Sequence, residues 1–337
     1  MKLIVQIPCL NEAETLPATL AEIPTQIPRI DQVEILVVDD GSTDNTSEVA
    51  SACGVQHIVR FPTHQGLARA FAVGIDTALK LGADIIVNTD ADNQYPGHQI
   101  PRLIEPILQG KAEMVVGDRQ IGKNGHFSGS RKVLQGLGSW VVRQFSNTDI
   151  PDAPSGFRAL SRHAALRMNI VSDFSYTLET IIQAGRNQIA ITHVPIQTNR
   201  TVRESRLFSS TWQYIKNSAG TILRIYAMYE PLKVFSIIGG IVFSGGFLLA
   251  LRFLYYYIVQ GGVTGHVQSL ILSAVLMIIG FQVLMIALLA DLLASNRKLI
   301  ENILLRVKGL ELQKNAFPTN QRCSLKGVVD AVRDGQK

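Results

Sequence analysis

Two long apolar stretches in the last third of the chain place the strongest constraint on its fold. They are LKVFSIIGGIVFSGGFLLALRFLYYYI at residues 232–258 and VQSLILSAVLMIIGFQVLMIALLADLL at residues 267–293. Each exceeds the roughly 20 residues that a helix needs to cross a bilayer. The alternative is a pair of buried helices in a soluble protein, but the rest of the chain could hardly cover two such helices in succession. The sequence therefore predicts two transmembrane helices within residues 231–294.

The basic residues predict how this helical hairpin is oriented. The connector VQGGVTGH contains no Lys or Arg, whereas basic residues flank both outer ends of the hairpin. Those residues are Arg200, Arg203, Arg206, Lys216, Arg224 and Lys233 before the first stretch, and Arg297, Lys298, Arg306 and Lys308 after the second. Because positive charge accumulates on the cytoplasmic side, we expect an integral membrane protein with both flanking parts in the cytoplasm. If the source is bacterial, the membrane is the plasma membrane.

Two flanking segments complete the predicted domain organisation. Residues 209–230 mix aromatic and basic side chains, which favours an amphipathic helix on the membrane surface. A core helix of the preceding domain is the alternative for this segment. Residues 295–337 are expected to form a cytoplasmic helix and tail. Residues 1–208 then remain for a separate soluble domain.

Cysteine content and charge exclude several classes of protein. The three cysteines, Cys9, Cys53 and Cys323, are far apart and form no C-x-x-C pair, which argues against a zinc site or a disulfide framework. The net charge of +5 is modest, and no basic stripe with interleaved aromatic residues predicts nucleic-acid binding. No G-x-G-x-x-G follows the first strand, which disfavours a dinucleotide-dependent oxidoreductase.

Residues 1–208 alternate between strand-like and helix-like segments. KLIVQIPC, VEILVVDD, ADIIVNTD, AEMVVGDR and AITHVPI have the Ile and Val content of buried strands. TDNTSEVASAC and LARAFAVGIDTALKLG, which lie between the early strands, have helical patterns. Such alternation predicts an α/β fold with a mostly parallel sheet.

Several of these predicted strands end in acidic residues. Ligands bind at the carboxyl ends of strands in open α/β sheets, so these ends indicate a binding site. Asp90 and Asp92 have the i, i+2 spacing that puts both side chains on one face of an extended segment. Their hard oxygen atoms suit Mg²⁺ or Mn²⁺, which commonly keeps substrate phosphates as further ligands. D-x-D alone is a weak signal, but its position directly after IIVNT and before NQYPG strengthens the interpretation.

Six short motifs together resemble a known family. They are IPCLNE, VVDDGSTDNT, HQGLARA, DADNQYP, VVGDR and SGFR. The chain resembles the family 2 glycosyltransferases with a GT-A fold, which is a Rossmann-like, mostly parallel α/β fold, and specifically the polyprenyl-phosphate, dolichyl-phosphate mannose synthase-like branch. The resemblance implies a metal-dependent, inverting transfer of a hexose from a UDP- or GDP-linked nucleotide sugar to undecaprenyl or dolichyl phosphate, with Mg²⁺ or Mn²⁺ as cofactor.

The resemblance also implies roles for individual residues. Those expected to contact the nucleotide sugar are Pro8, Asn11, Glu12, Asp39, Asp40, Asp90, Gln94, Arg200 and Arg206, and those expected to hold the metal are Asp90, Asp92 and Gln94. Those expected at the reaction centre are Asp92, Asp152, Arg119 and Arg131, with the two arginines near the acceptor phosphate. Glu179 is a second candidate, after Asp152, for orienting the sugar or acceptor, with a helix-surface carboxylate as the equal alternative.

Other functions remain open at this point. A processive polysaccharide synthase would need a Q-x-x-R-W motif, and neither Trp140 nor Trp212 follows an arginine. A transferase acting on another lipid, or a membrane protein that only binds nucleotide, is a further alternative, although DADNQYP together with SGFR argues against the second. The sequence leaves open the sugar, the nucleotide and a possible homo-oligomer.

Overall fold

Seven strands form one mixed sheet in the first part of the chain. The computed structural model describes residues 1–120, 143, 146, 148–171, 176–199, 220, 229–259 and 267–316. The strands are β1 (Lys2–Cys9), β2 (Gln32–Asp39), β3 (His57–Arg60), β4 (Ile85–Asn88), β5 (Met114–Asp118), β6 (Arg158–Ser161) and β7 (Ile191–Pro195). Their order across the sheet is β3-β2-β1-β4-β6-β5-β7. Only β6 runs antiparallel to its neighbours among these strands, so the predicted α/β fold with a mostly parallel sheet is confirmed.

Helices cover both faces of this sheet. They are α1 (Leu16–Glu22), α2 (Thr46–Ala52), α3 (Leu67–Lys80), α4 (Ile100–Leu108), α5 (Arg162–Arg167) and α6 (Tyr176–Arg186), with a short 3₁₀ turn at Gly97–Gln99. Side chains of α1 and α4, such as Leu16 and Leu103, join the core cluster on one face of β1 and β4. On the other face α3 packs so closely that a Cβ on Gly74 would lie 3.2 Å from Val38. Burial on both faces explains why the sequences of β1 and β4 are nearly continuous runs of apolar residues rich in Ile and Val.

Strand β6, which lies between β4 and β5 inside the sheet, depends on a buried arginine. Arg158 is fully buried, and its guanidinium donates to the carbonyl oxygens of Ala153 (2.7 Å) and Ser155 (2.8 Å) and to the hydroxyl of Thr180. Its Cζ lies 5.7 Å from the ring centroid of Tyr176. Burial lowers the pKa of Arg158 to about 10, so the side chain stays charged at neutral pH. Arg158 therefore fixes the loop before β6 from within the core.

Two long helices follow the sheet domain. They are α7 (Pro231–Val259) and α8 (Val267–Ala316). Both are long and apolar enough to cross a membrane, by length and composition. The described residues fall into two compact units, one within Met1–Ser205 and Asn302–Lys337, the other within Arg206–Glu301.

Within the second unit, small residues bring α7 and α8 together. A Cβ on Gly239 would lie 3.0 Å from the carbonyl oxygen of Gly280, and one on Gly246 would lie 2.9 Å from that of Ser273. The Ser273 hydroxyl donates to the carbonyl oxygen of Gly246 (2.8 Å). Close backbone approach at small residues is how apolar helices associate where lipid surrounds them.

The buried arginine gives a stability prediction. Replacing Arg158→Met leaves the carbonyl oxygens of Ala153 and Ser155 without their donors, and each such loss costs about 1–3 kcal/mol. We expect the free energy of unfolding to fall by about 3 kcal/mol, which lowers Tm by roughly 6–12 °C. Thermal unfolding of the full-length protein in detergent measures this. Arg102→Met, on the exposed side of α4, is the matched control; equal Tm values for the two variants would contradict the role of Arg158.

Candidate active site

Polar residues gather at one edge of the sheet. Strands β1, β2, β4 and β5 end there, and the antiparallel β6 begins there. Cys9 at the end of β1 pairs with Asp39 at the end of β2. Asn88 at the end of β4 pairs with Arg158 at the start of β6. The loops that carry the acidic residues therefore meet at the edge where ligands bind in open α/β sheets.

Two acidic residues, Asp90 and Asp92, follow β4 at this edge. Burial of the Asp90 carboxylate, and repulsion from Asp92, raise the pKa of Asp90 to about 7, although Arg119 and Arg158 oppose the shift. A cation bound at this carboxylate would offset both its burial and the repulsion from Asp92. The arrangement therefore favours the binding of a cation.

Neighbouring elements hold the loop that carries the acidic pair. The Thr19 hydroxyl of α1 donates to the carbonyl oxygen of Ala91 (3.0 Å), between the two acids. The backbone N–H of Gln94 donates to Asp92 Oδ1 (3.0 Å). Asn93 adopts a left-handed backbone (φ 55°), which asparagine tolerates better than most residues. Asn199, after β7, donates through its backbone N–H to the carbonyl oxygen of Gln94 (3.0 Å), so the chain reaches this loop one residue before Arg200.

A glycine from the loop before β6 lies directly against Asp90. A Cβ on Gly156 would stand 2.9 Å from both carboxylate oxygens of Asp90. The Gly156 backbone is held on both sides, because its N–H donates to the Tyr95 hydroxyl (3.2 Å) and its carbonyl oxygen accepts from Asn88 Nδ2 (2.8 Å). Asn88 Nδ2 also lies 3.0 Å from the Tyr176 hydroxyl. Only a residue without a side chain fits between this network and the acid.

The sequence analysis missed three residues of this network: Asn88, Tyr95 and Tyr176. All three are buried. Asn88 offered a signal, since it is a polar residue at the end of the apolar run IIVN. Tyr95 also offered one, since it belongs to the motif DADNQYP. Tyr176 offered none, because buried aromatic residues are common in any core.

A buried ion pair joins the end of β5 to the loop before β6. Arg119 donates to the carboxylate of Asp152 through Nε (2.7 Å), Nη2 (2.8 Å) and its own backbone N–H (3.1 Å). Both side chains are more than nine-tenths buried. The charge of Arg119 also acts on Asp90, whose pKa it lowers. The structure therefore brings together the predicted residues Arg119, Asp152 and Asp90.

The loops after β1 and β2 form the other side of the edge. The backbone N–H of Asn11 donates to the Ser42 hydroxyl (2.9 Å), and Asn11 Oδ1 accepts from the N–H of Thr43 (2.8 Å). The N–H of Glu12 donates to the Thr46 hydroxyl (2.9 Å). Pro8 is buried at the end of β1, while Asn11, Glu12 and Gln94 keep part of their surface exposed.

Asp39 and Asp40 accept hydrogen bonds from the chain around them. Asp39 accepts from the backbone N–H of Ser42 (2.8 Å) and from the Ser47 hydroxyl. Asp40 accepts from the backbone N–H groups of Gln65 (2.7 Å) and Gly66 (2.9 Å). Both carboxylates are buried, and these hydrogen bonds provide their polar partners without a ligand. Their assignment to contacts with the nucleotide sugar stays a prediction.

The turn after these acids requires a glycine. Gly41 has a φ of 73°, and a Cβ there would lie 2.5 Å from the backbone carbon of Thr63. Glycine is therefore the residue that this turn of VVDDGS accepts.

The metal-binding prediction fits the donor chemistry of the edge. Asp90 and Asp92 offer hard oxygen atoms, and burial together with repulsion from Asp92 raises the pKa of Asp90. Within the described ranges no group of three or more His, Cys, Asp or Glu side chains could hold a metal ion. An ion held by the acidic pair would thus need phosphate or water oxygens as well, which is how Mg²⁺ is usually bound.

Three of the predicted site residues lie outside the described residues. They are Arg131, Arg200 and Arg206. The helix-surface interpretation of Glu179 is wrong, because this side chain is buried and accepts from the N–H of Val171 (3.1 Å) and from Gln183 Nε2 (3.1 Å). Its role in orienting a sugar or acceptor stays a prediction.

Comparison with known proteins identifies the family. Residues 4–168 match Glycosyl transferase family 2. The chain is a family 2 glycosyltransferase. The matched range contains β1–β6 and every element of the edge described above apart from α6 and the segment after β7.

Two curated relatives show which members of the family this transferase is similar to. An undecaprenyl-phosphate mannosyltransferase from Micrococcus luteus is 29% identical over 218 residues, which cover 61% of this chain and 88% of the relative. An undecaprenyl-phosphate 4-deoxy-4-formamido-L-arabinose transferase from Proteus mirabilis is 26% identical over 308 residues, which cover 86% of this chain and 87% of the relative. The second alignment extends well beyond the matched family range.

The predicted GT-A-like fold is confirmed by a solved structure. Glucosyl-3-phosphoglycerate synthase from Mycobacterium tuberculosis, in complex with Mn²⁺, UDP and glucosyl-3-phosphoglycerate, superposes with a TM-score of 0.52 at 19% identity. The superposition covers 67% of this chain and 78% of the synthase. At this identity the likeness concerns the fold alone.

The contact between Gly156 and Asp90 gives a prediction for activity. Gly156→Ala forces the acid or the loop to move, and a displacement of about 1 Å at a reaction centre can cost about 100-fold in rate. We expect a loss of that size in transfer rate, measured with the donor and acceptor that the unmodified transferase uses. The control is Gly309→Ala in α8, where a Cβ meets nothing within 4 Å. An unchanged rate for Gly156→Ala would show that the contact is not limiting.

Proposed function

We propose that this glycosyltransferase moves a hexose from a UDP- or GDP-linked sugar to a polyprenyl phosphate at a membrane surface, with inversion at the sugar. The observation that carries the proposal is the acidic pair Asp90–Asp92 at the ligand edge, with the charge of Arg119 close enough to act on it. The names of the curated relatives, which include undecaprenyl-phosphate transferases, support the acceptor class.

The acidic pair is proposed to hold a divalent metal ion, Mg²⁺ or Mn²⁺, together with the donor diphosphate. Asp90 and Asp92 would be its protein ligands, with Gln94 as a third candidate from the same loop. Such an ion supplies positive charge for a leaving diphosphate. Related structures of the mycobacterial synthase contain Mn²⁺ or Mg²⁺, which supports this choice of metal.

The chain's own residues would position the reacting groups. Asp152 fixes the guanidinium of Arg119 in one orientation, so a phosphate near this edge meets a positive charge that needs no reorganisation. Arg131, Arg200 and Arg206 are proposed to add positive charge for the diphosphate and the lipid phosphate. Gly156 and the network around it keep Asp90 in place.

The chemistry requires no strong general base. An oxygen of the acceptor phosphate attacks the anomeric carbon and forms the new C–O bond. The bond from that carbon to the diphosphate breaks, and the nucleoside diphosphate leaves with the electron pair. Because the acceptor oxygen is already anionic, no side chain has to remove a proton from it. Asp152 and Glu179 are therefore proposed to orient groups, and attack opposite the leaving group inverts the sugar.

The two apolar helices support the lipid acceptor. A polyprenyl chain stays within the bilayer, and α7 and α8 would keep the enzyme at the same membrane. The sheet domain is proposed to be cytoplasmic, following the basic residues on either side of the hairpin. The proposed interfacial helix at 209–230 lies outside the described residues apart from Gly220, Tyr229 and Glu230.

Removal of one acid tests the proposed function. We expect Asp92→Ala to lower transfer about 1,000-fold or more, because the diphosphate loses charge stabilisation worth several kcal/mol. The assay screens UDP- and GDP-linked sugars against a polyprenyl phosphate with Mg²⁺ or Mn²⁺ and detects the lipid-linked sugar. Full metal-dependent activity in Asp92→Ala would refute the metal assignment.

The matched control for this variant is Asp31→Ala. Asp31 precedes β2 at the opposite edge of the sheet, and its side chain is 83% exposed. We expect it to retain normal transfer. If the unmodified protein binds UDP or GDP but transfers no sugar to any lipid phosphate, the protein is a nucleotide-binding protein and the proposal fails.

The pKa of Asp90 gives a second prediction. A proton competes with the metal wherever Asp90 is protonated, and its pKa of about 7 lies above the usual value for a carboxyl group. We therefore expect Mn²⁺ affinity to fall up to about tenfold per pH unit below pH 7, and to level off above it. Titration calorimetry with Mn²⁺ alone between pH 5.5 and about 8 measures this. Asp90→Asn should remove the pH dependence, and a flat profile for the unmodified protein would contradict the prediction.

A further inference from the structure

One face of α8 carries a regular stripe of apolar and amide side chains. Its members alternate between spacings of three and four residues, and we call this stripe the α8 seam. They are Leu272, Val275, Ile279, Gln282, Ile286, Leu289, Leu293, Asn296, Ile300, Ile303, Val307 and Leu310. This is the heptad repeat by which helices wrap around one another. Every apolar member is at least 44% exposed among the residues that the structure describes.

The contacts that α8 makes within each unit lie on another face. In the second unit Ser273 and Gly280 pack against α7. In the first unit Lys308 Nζ forms an ion pair with Asp76 of α3 (2.9 Å). None of these residues belongs to the seam. Within each unit, the described residues of that unit leave its part of the seam uncovered.

The last part of the seam continues beyond the apolar stretch. Arg297 and Lys298 follow that stretch, and helix α8 then runs on to Ala316. Ile300, Ile303 and Leu310 are 64%, 60% and 65% exposed. Because a helix crosses a bilayer in roughly 20 residues, we infer that the segment after Lys298 extends beyond the lipid. An exposed apolar stripe in water marks a surface that a partner covers, and a heptad stripe suits a partner helix.

We propose that a second copy of this chain covers the α8 seam, and that the two copies form a parallel, in-register, two-stranded coiled coil. The charges beside the seam fit this partner. In a heptad written abcdefg the core positions are a and d. In a parallel pair each g residue faces the e residue that lies five positions further on in the other helix. Arg306 would thus face Glu311 of the second copy, twice by symmetry. Both side chains are exposed in the single chain.

The amides on the seam support the same register. Gln282 and Asn296 are exposed and stand two heptads apart at equivalent positions. An unpaired amide among apolar side chains is costly, and Gln282 lies within the apolar stretch. In register, each amide meets its own counterpart and can both donate and accept a hydrogen bond. A shift by one heptad would place these amides against Leu and Ile.

The aliphatic residues favour two strands. A β-branched residue at the first core position followed by Leu at the second favours a parallel dimer, and this combination occurs at Ile286–Leu289 and Val307–Leu310. The inference does not depend on the transfer reaction, because it rests on the spacing, exposure and charges of α8 alone.

Disulfide cross-linking of the full-length protein tests the register. The background carries Cys53→Ser and Cys323→Ser, with the buried Cys9 retained. In a parallel, in-register pair each core residue faces its own counterpart, so Ile303→Cys should form a disulfide-linked dimer in membranes treated with copper phenanthroline. Asn302→Cys, one residue away and outside the seam, is the matched control and should remain monomeric on a non-reducing gel.

A charge exchange tests the partner. Arg306→Glu places carboxylates opposite Glu311, and Glu311→Arg places guanidinium groups opposite Arg306. Each change converts two attractions into two repulsions, so the Kd for dimer formation in detergent should rise about tenfold. The double variant Arg306→Glu/Glu311→Arg restores attraction and should return Kd to the original value. Sedimentation velocity over a dilution series measures Kd.

Three results would overturn the proposal. One is efficient cross-linking at residue 302 or none at residue 303, which includes the case of an antiparallel pair. Another is a double variant no better than either single variant. The third is a full-length protein that stays monomeric at every concentration, which would mean that another part of the chain covers the seam. Transfer activity is unaffected by any of these outcomes, so a failure here is separable from a failure of the proposed function.

Discussion

The hydrogen bonds between Arg119 and Asp152 fix the loop before β6 against the end of β5, and the candidate site depends on that attachment. The same loop delivers Gly156 to the carboxylate of Asp90. Arg158 holds the loop from below through two carbonyl oxygens. Removing one partner from a buried charged pair leaves the other uncompensated, at a cost of about 3–5 kcal/mol. The buried charges that hold the loop, those of Arg119, Asp152 and Arg158, therefore also fix the position of Asp90.

The acidic pair could be predicted from the sequence because two simple rules agree. A run of buried aliphatic residues marks a strand, and parallel strands end at the same edge of their sheet. Strand β6 follows neither rule. It is four residues long, begins with an arginine and runs antiparallel in the middle of the sheet. The sequence analysis included Arg158 only as the last residue of the family motif SGFR, whereas the structure places it in the core.

Two other features were hidden for different physical reasons. Glu179 occupies a helix whose sequence does not reveal that the first turn is buried, and tertiary packing alone decides its exposure. The α8 seam is hidden by composition, because almost every residue of the apolar stretch is hydrophobic and any periodicity is masked. Only the polar positions, Gln282 and Asn296, and the segment beyond Lys298 disclose the repeat. Within an apolar stretch long enough to cross a membrane, a periodic pattern is therefore recognised from the positions of the polar residues.

The antiparallel strand also determines the order in which the sheet can be completed. In the described sheet β4 and β5 do not pair with each other, and β6 alone joins them. During synthesis β4 and β5 leave the ribosome before β6 and β7 do, so β4 keeps one unpaired edge and β5 keeps both until the later strands arrive. Exposed edges of this kind invite pairing with other chains. In that interval the nascent transferase therefore exposes strand edges to which another chain, or a chaperone, can bind.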